Sequence, residues 1–305
     1  MPPVPPWLGR ALSPRFWPWR LAIAVLAPRL PIIVIDRAVR LPGGEFQRLI
    51  ETRLLSALVS LLVLVAVVRL LEGRTLAQTG LFSRAAWGRR VAEGLALGAS
   101  PVLAYGAGLA GAGLAAFSWP GEATLAEAAG LAAVILVAAV DEEIRFRGLA
   151  FRILEEGTGS SVALIVSGAL FGAAHAGNRG ATPLGVVVVA IGGVLLAACY
   201  LLHRSLWIPI GFHFAWNTTM GAVLGLPISG IPIPALLRAD VTGPGLWTGG
   251  RFGPEASLPM AIFVVLASAT YVWRAAAAGR FARGTWLREL RGPVSPGPAC
   301  PGSGR

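Results

Sequence analysis

An all-α, polytopic bundle of about seven to eight transmembrane helices is the fold this sequence predicts, and three observations predict it. The 305 residues are 55% hydrophobic and only 13% charged, where about a quarter charged is usual for a soluble domain. The apolar residues fall in runs close to the ~20 residues a helix needs to cross a bilayer. The cations are all arginine, with no lysine, and they stand beside the apolar runs rather than on a polar face. The formal net charge of +11 therefore reads as topology and headgroup anchoring against a lipid bilayer, with no nucleic acid as partner.

In chain order, residues 1–53 form a basic amino-terminal region. Its apolar stretch, 17–35, is broken by Arg20, Pro28, Arg29 and Pro31, which fits one interfacial or kinked segment. Prolines stand where a signal peptide would carry its basic leader, so no cleaved signal is expected. Residues 54–124 hold accessory transmembrane helices. The first, 54–71, is an unambiguous span, and the linker after it carries Arg74, Arg84, Arg89 and Arg90. The second, 91–117, is rich in glycine and alanine, which allow close helix packing. The loop 118–124 has Glu122 and no basic residue, which places it on the opposite side.

Residues 125–276 form the core. A single long helix is expected over 125–156, stopped by Gly157-Thr158-Gly159. Spans at 160–175, 183–202 and 206–224 follow, then a Gly/Pro-rich connection, 225–257, and a last span at 258–272. The tail, 277–305, is Arg-studded and then Pro/Gly-rich, which predicts a cytoplasmic, finally disordered end. Counting back from it puts the Gly157 turn, the His203 turn and the Arg84 linker inside and the Glu122 loop outside. The basic count leaves residues 36–53 unassigned. Cys199 lies in an apolar run and Cys300 in the tail, so no disulfide framework is implied.

One stretch breaks the apolar pattern at membrane depth: Asp141-Glu142-Glu143-Ile144-Arg145-Phe146-Arg147-Gly148 closes the run 131–140. Ionisable residues there cost roughly 2.5–3.5 kcal/mol each on insertion scales, which makes the stretch a functional-site candidate. Two of the three histidines, His175 and His213, also lie within or at the ends of apolar runs, and Asn217 follows His213 by four. Glu142 stands about 22 Å before the Gly157 turn and His175 about 24 Å after it, so an antiparallel hairpin brings them level. His213 is only about 12 Å beyond Ser205, compatible if the charged end of the hairpin, Arg145 to Glu156, projects into the headgroups. Glu143 and Arg147, Phe171 and His175, and His213 and Asn217 are each four apart, hence on one helix face. Glu143 and Arg147 then form an ion pair, and Glu142 is the carboxylate left to titrate. His203, beside Arg204 at a turn, reads as an interfacial residue.

A glutamate and a histidine facing a cavity can share the deprotonation of water, and a histidine and an asparagine one turn apart can donate two hydrogen bonds to a developing oxyanion. No G-x-S-x-G elbow indicates a serine nucleophile. Zinc held by His, His and Glu stays open on these residues, although H-E-x-x-H is absent.

The same letters carry a resemblance. Glu142-Glu143-x-x-x-Arg147-Gly148, Phe171-x-x-x-His175 and His213-x-x-x-Asn217, in that order, resemble the three motifs of the CAAX-protease and bacteriocin-processing family. The segment from Ser205 to Asn217 and that from Thr248 to Glu255 are also similar to the family's, and the likeness covers about residues 125–255. It implies a metal-independent, glutamate-type intramembrane endopeptidase of the cell membrane with no cofactor. Glu142 and His175 would activate water, His213 and Asn217 would form the oxyanion hole, and Glu143 and Arg147 would support them. Arg145 departs from the apolar residue usual beside the first motif. The implied partner is a peptide or membrane-protein substrate, lipidated or not. Two other classes fit the residues: a non-proteolytic immunity or scaffold protein, and a proton-coupled transporter using Glu and His as a relay.

Overall fold

The computed structural model describes residues 16–28, 45–82, 86–121 and 125–285. The readings that rest on Arg29, Pro31, residues 36–44, Arg84, Glu122, Arg288, Arg291 and Cys300 lie outside them.

The chain is mostly helical. Helix α1 (Trp17–Leu26) has ten residues, too few to span a bilayer at ~1.5 Å per residue. It packs instead against the Gly157 turn, where a Cβ on Gly157 would lie 2.4 Å from the Trp17 ring. Helix α2 (Glu45–Ala66) continues through a π-helical turn, Val67–Leu71, so the predicted span 54–71 is the carboxy-terminal part of a longer rod. Helix α3 (Trp87–Gly111) follows.

Here the expected span 91–117 needs correcting. The helix stops at Gly111: Gly113 adopts φ 69°, its N–H and that of Leu114 turn back to Ala110 and Leu109 carbonyls, and the chain reverses. Residues 115–118 then form a strand, β1 (Ala115–Ser118), paired antiparallel with β2 (Arg238–Val241) in the register Ala115 to Val241 and Phe117 to Ala239. The all-α expectation therefore holds apart from this two-stranded ribbon. It ties the end of α3 to the long connection 225–257, where each strand is too short for periodicity to reveal it.

The long central helix forms as expected, but its winding changes along the way. Helix α4 (Leu125–Glu143) passes without a break into a π-helical segment, Ile144–Phe151, and then into α5 (Arg152–Thr158). Gly159, at φ 90°, makes the turn into α6 (Ser160–His175). Helix α7 (Pro183–His203) is capped by Thr182 and ends at Arg204 in the left-handed conformation. Helix α8 (Trp207–Asn217) runs into a further π-helical stretch, Thr218–Val223. A short helix α9 (Gly245–Thr248) precedes α10 (Leu258–Ala277). Four of these stretches are long and apolar enough to cross a membrane: Glu51–Leu71, Trp87–Gly111, Pro183–His203 and Leu258–Ala277.

Glycines set two of the closest contacts. A Cβ on Gly94 would lie 2.4 Å from the Ile208 carbonyl oxygen and one on Gly98 2.3 Å from that of Phe212, so α3 and α8 meet backbone to backbone. Gly168 and Gly172 do the same for α6 against Ala190 and Val186 of α7. Both are small-xxx-small pairs, the pattern that lets helices approach closely where lipid leaves little hydrophobic drive between them.

Candidate active site

The sequence-predicted residues converge. Glu142 from α4, His175 from the end of α6, and His213 and Asn217 from α8 all line one cavity of about 690 Å³, whose remaining wall is largely apolar, including Leu131, Ile135, Val188 and Trp216. Glu143 and Arg147 stand behind that wall, with side chains 0% and 1% exposed. The adjacent glutamates thus face different surroundings, because one residue along a helix turns a side chain by about 100°.

Glu143 is the hinge of the hidden half. Its Oε1 accepts from Arg147 Nη1 at 2.8 Å and lies 2.8 Å from His213 Nδ1. Arg147 donates a further hydrogen bond to the Gly193 carbonyl at 3.0 Å, and its guanidinium sits 4.5 Å from the centroid of the Phe171 ring. A Cβ on Gly193 would lie 2.9 Å from that of Phe171, so α6 and α7 pack closely beside this bond. Phe171 also packs against His175, with centroids 4.8 Å apart, and edge-on to His213 at 6.1 Å. It is the apolar spacer that holds the two imidazoles and the arginine in fixed relation.

The histidine tautomers follow from their partners. His175 Nδ1 lies 2.8 Å from the Phe171 carbonyl oxygen, which can only accept, so Nδ1 carries the proton and a neutral ring keeps its Nε2 lone pair for another donor. His213 Nδ1 donates in the same way to Glu143, which leaves its Nε2 3.8 Å from Glu142 Oε2. The Asn217 amide makes no hydrogen bond among the described residues.

Glu142 is held from outside the predicted motifs. Arg53 of α2 reaches its Oε1 at 3.1 Å, while its Oε2 is buried without a hydrogen-bond partner among the described residues. Asp141, 0% exposed, accepts from Ser56 Oγ and Ser60 Oγ, each at 2.6 Å, and from Arg145 Nη2 at 2.9 Å. Arg145 is therefore the partner of Asp141. The charges from Arg145 to Glu156 have partners within the protein: Arg145 pairs with Asp141, Arg147 with Glu143, Arg152 with Glu72, Glu155 with Arg204 and Glu156 with Arg20. Sequence reasoning missed Arg53, Ser56 and Ser60, although their spacing of three and four marks a polar stripe on an otherwise apolar span.

The cavity is roofed by the connection 225–257. Glu255 lines it and accepts from both the N–H and the hydroxyl of Ser229 at 2.6 Å, while Asn178 Nδ2 donates to the Ser229 carbonyl at 2.9 Å. Two π-helical segments also border the site, one starting directly after Glu143 and the other directly after Asn217. Such wide turns recur at functional sites because they shift the side-chain register within a continuous helix. His203, the remaining histidine, stands apart from the cavity with its Nε2 3.9 Å from Glu93.

Residues 124–219 match the family described as type II CAAX prenyl endopeptidase, Rce1-like. The chain carries a CAAX-protease-family segment. No curated protein matches the chain significantly. The CAAX-protease segment begins just ahead of α4, ends two residues after Asn217, and so contains all six residues singled out from sequence. The match supports a CAAX-type protease in general, and the four apolar helices support a membrane protein. Arg53 and Glu255, which complete the cavity, fall outside it.

Proposed function

We propose that the cavity is the active site of a glutamate-dependent, metal-independent intramembrane endopeptidase. The observation that carries this reading is the convergence of Glu142, His175, His213 and Asn217 on one largely apolar cavity. Water between Glu142 and His175 Nε2 gives its proton to the glutamate as its oxygen bonds to the peptide carbonyl carbon. The displaced π electrons move onto the carbonyl oxygen, where His213 Nε2–H and the Asn217 amide donate hydrogen bonds to it. Collapse then breaks the C–N bond, and the proton passes from Glu142 to the departing amine. With Nδ1–H committed to Glu143, His213 can donate from Nε2 only as the imidazolium, and the Glu142 and Glu143 carboxylates flank that cation. Glu143 and Arg147 act by fixing the ring.

The apolar wall suits a hydrophobic peptide or membrane-protein segment, lipidated or not. The functional core is assigned to residues 125–276, with 1–53 and 54–124 as accessory regions and 277–305 as a cytoplasmic tail. The apolar runs support seven to eight crossings of the cell membrane, and the arginines around the Gly157 and His203 turns support a site nearer the cytoplasmic face. In a background without Cys199 and Cys300, an Arg280→Cys label should react only from the cytoplasmic side and a Trp119→Cys label only from outside; the reverse result would invert the orientation.

The test of function is substrate trapping. Glu142→Gln protein, expressed in place of the wild type, should accumulate an intact peptide or membrane protein that the wild type cleaves, identified by mass spectrometry. Wild-type cleavage should survive stringent chelation. Solute transport without any cleavage, or cleavage lost on chelation and restored by zinc, would sink this reading.

A further inference from the structure

A second cavity lies at the far end of the same helical rod. Arg152 follows Glu142 by ten residues, which places this cavity about 15 Å further along the axis. It has a volume of about 470 Å³, and its wall includes Arg74, Arg152, Arg204 and Arg283 together with Glu155 and Glu156. Its position is where α5 ends, where α7 turns at Arg204, and where the chain after α10 returns. That returning segment is pinned in place: Ser160 N–H donates to the Ala282 carbonyl at 3.1 Å, and Ala282 N–H donates back to Ser160 Oγ at 2.8 Å.

The charges around the cavity do not balance. Glu72 is shared by Arg20, Arg74 and Arg152. Glu156 is shared by Arg20 and Arg74, and Glu155 pairs with Arg204. Among the described residues, five arginines (20, 74, 152, 204 and 283) thus face three glutamates (72, 155 and 156), an excess of two positive charges. Two donors locate that excess. Arg152 is 9% exposed and spends its Nε on the Gly148 carbonyl and Nη1 on Glu72, leaving Nη2 buried with no hydrogen-bond partner among the described residues. Arg283 lines the cavity and pairs with no carboxylate among the described residues. A buried guanidinium nitrogen without an acceptor is costly, and an oxyanion with several acceptor oxygens is what such a cluster satisfies.

We propose that this cavity binds a phosphate-bearing anion, either the headgroup of an anionic lipid or free phosphate. Basic pockets between transmembrane helices near a membrane surface are suited to acidic headgroups. The assignment is independent of the protease chemistry, since no residue of the cavity takes part in it.

The full chain in detergent is titrated with dioctanoyl phosphatidylglycerol, dioctanoyl phosphatidylcholine or inorganic phosphate. Binding is read by native mass spectrometry and by the rise in thermal midpoint that any native-state ligand produces. Phosphatidylglycerol should bind and raise the midpoint while phosphatidylcholine does not; a response to inorganic phosphate alone would assign the site to the free ion. Arg283→Gln, which breaks no ion pair, should weaken binding by about tenfold, and Arg283→Lys should retain part of it. Equal binding of the two lipids, no response to either anion, or wild-type affinity in Arg283→Gln would overturn the proposal.

Discussion

The two ends of the central helical rod bury charge in opposite ways. Around Glu142 two carboxylates each keep one oxygen unengaged: Oε2 of both Glu142 and Glu143 is buried with no hydrogen-bond partner among the described residues, and Glu142 has one arginine, Arg53, on its other oxygen, while the neighbouring Asp141 is held by Ser56, Ser60 and Arg145. Around Arg152 each carboxylate is held by more than one group: Glu72 and Glu156 by several arginines, Glu155 by Arg204 and the Ser160 hydroxyl. One end keeps a free oxygen facing a cavity, while the other locks α1, the turn after α2, and α5 together. A sparsely paired carboxylate is ready to take a proton; a saturated one is a bolt. The surplus of arginine at the bolted end also explains why it, and not the Glu142 end, has room for an added anion.

Mutations should separate the two. The largest effect is expected from Glu142→Gln, which removes the proton acceptor while a near-isosteric amide can still accept from Arg53. Turnover should fall by about 10²–10⁴-fold with little change in thermal midpoint. A variant that unfolds would mean that Glu142 is a structural bolt too.

Next in size is Arg147→Ala. It leaves Glu143 buried with His213 as its one remaining charged partner among the described residues, and breaking such a pair costs roughly 3–5 kcal/mol of stability. Denaturant or thermal unfolding should show that loss, and an Arg147→Ala/Glu143→Gln double variant should recover part of it. An unstable Glu142→Gln beside a stable Arg147→Ala would exchange the roles of the two glutamates.

Arg20→Met tests the redundancy of the bolted end. Glu72 keeps Arg152 and Arg74, and Glu156 keeps Arg74, so no carboxylate is left alone. The cost should be nearer about 1–2 kcal/mol, with turnover per folded molecule unchanged. A loss as large as that of Arg147→Ala would show that the network is no more redundant than the active-site pair.

The smallest effect is a pH dependence at Glu156, which lies outside the four spans. Burial works to raise this carboxyl, but the hydrogen bond and charge of Arg20 and the charge of Arg74 outweigh it and hold it below its ordinary range. A carboxyl lowered in the folded state contributes stability above its unfolded value and loses it as pH falls through the folded one. The thermal midpoint should therefore drop on acidification below about pH 4.5, and less so in Glu156→Gln. An identical acid profile in the two proteins would remove Glu156 from the network's contribution.

Much of this was legible in the chain itself. Apolar runs at bilayer length gave the helices, because in lipid the backbone must satisfy its hydrogen bonds within each segment. The spacing of four residues placed Arg147 on Glu143 and Asn217 one turn beyond His213, because local helix geometry fixes such pairs wherever the helix lies. The Gly157 turn brought the Glu142 and His175 helices side by side for the same local reason.

Tertiary structure alone decided the rest. Arg53 reaches Glu142 across 89 positions and His213 reaches Glu143 across 70, distances over which no periodicity carries information. The stop at Gly111, the β1–β2 ribbon and the roof held by Glu255 and Ser229 depend on chain segments that meet only once the bundle is packed. The charges from Arg145 to Glu156 show the limit most plainly. Spacing expects them to project into the headgroups, yet they have partners in the protein, because folding brings Arg20 of α1, Glu72 after α2 and Arg204 after α7 beside them, and a charge taken out of water needs a counter-charge.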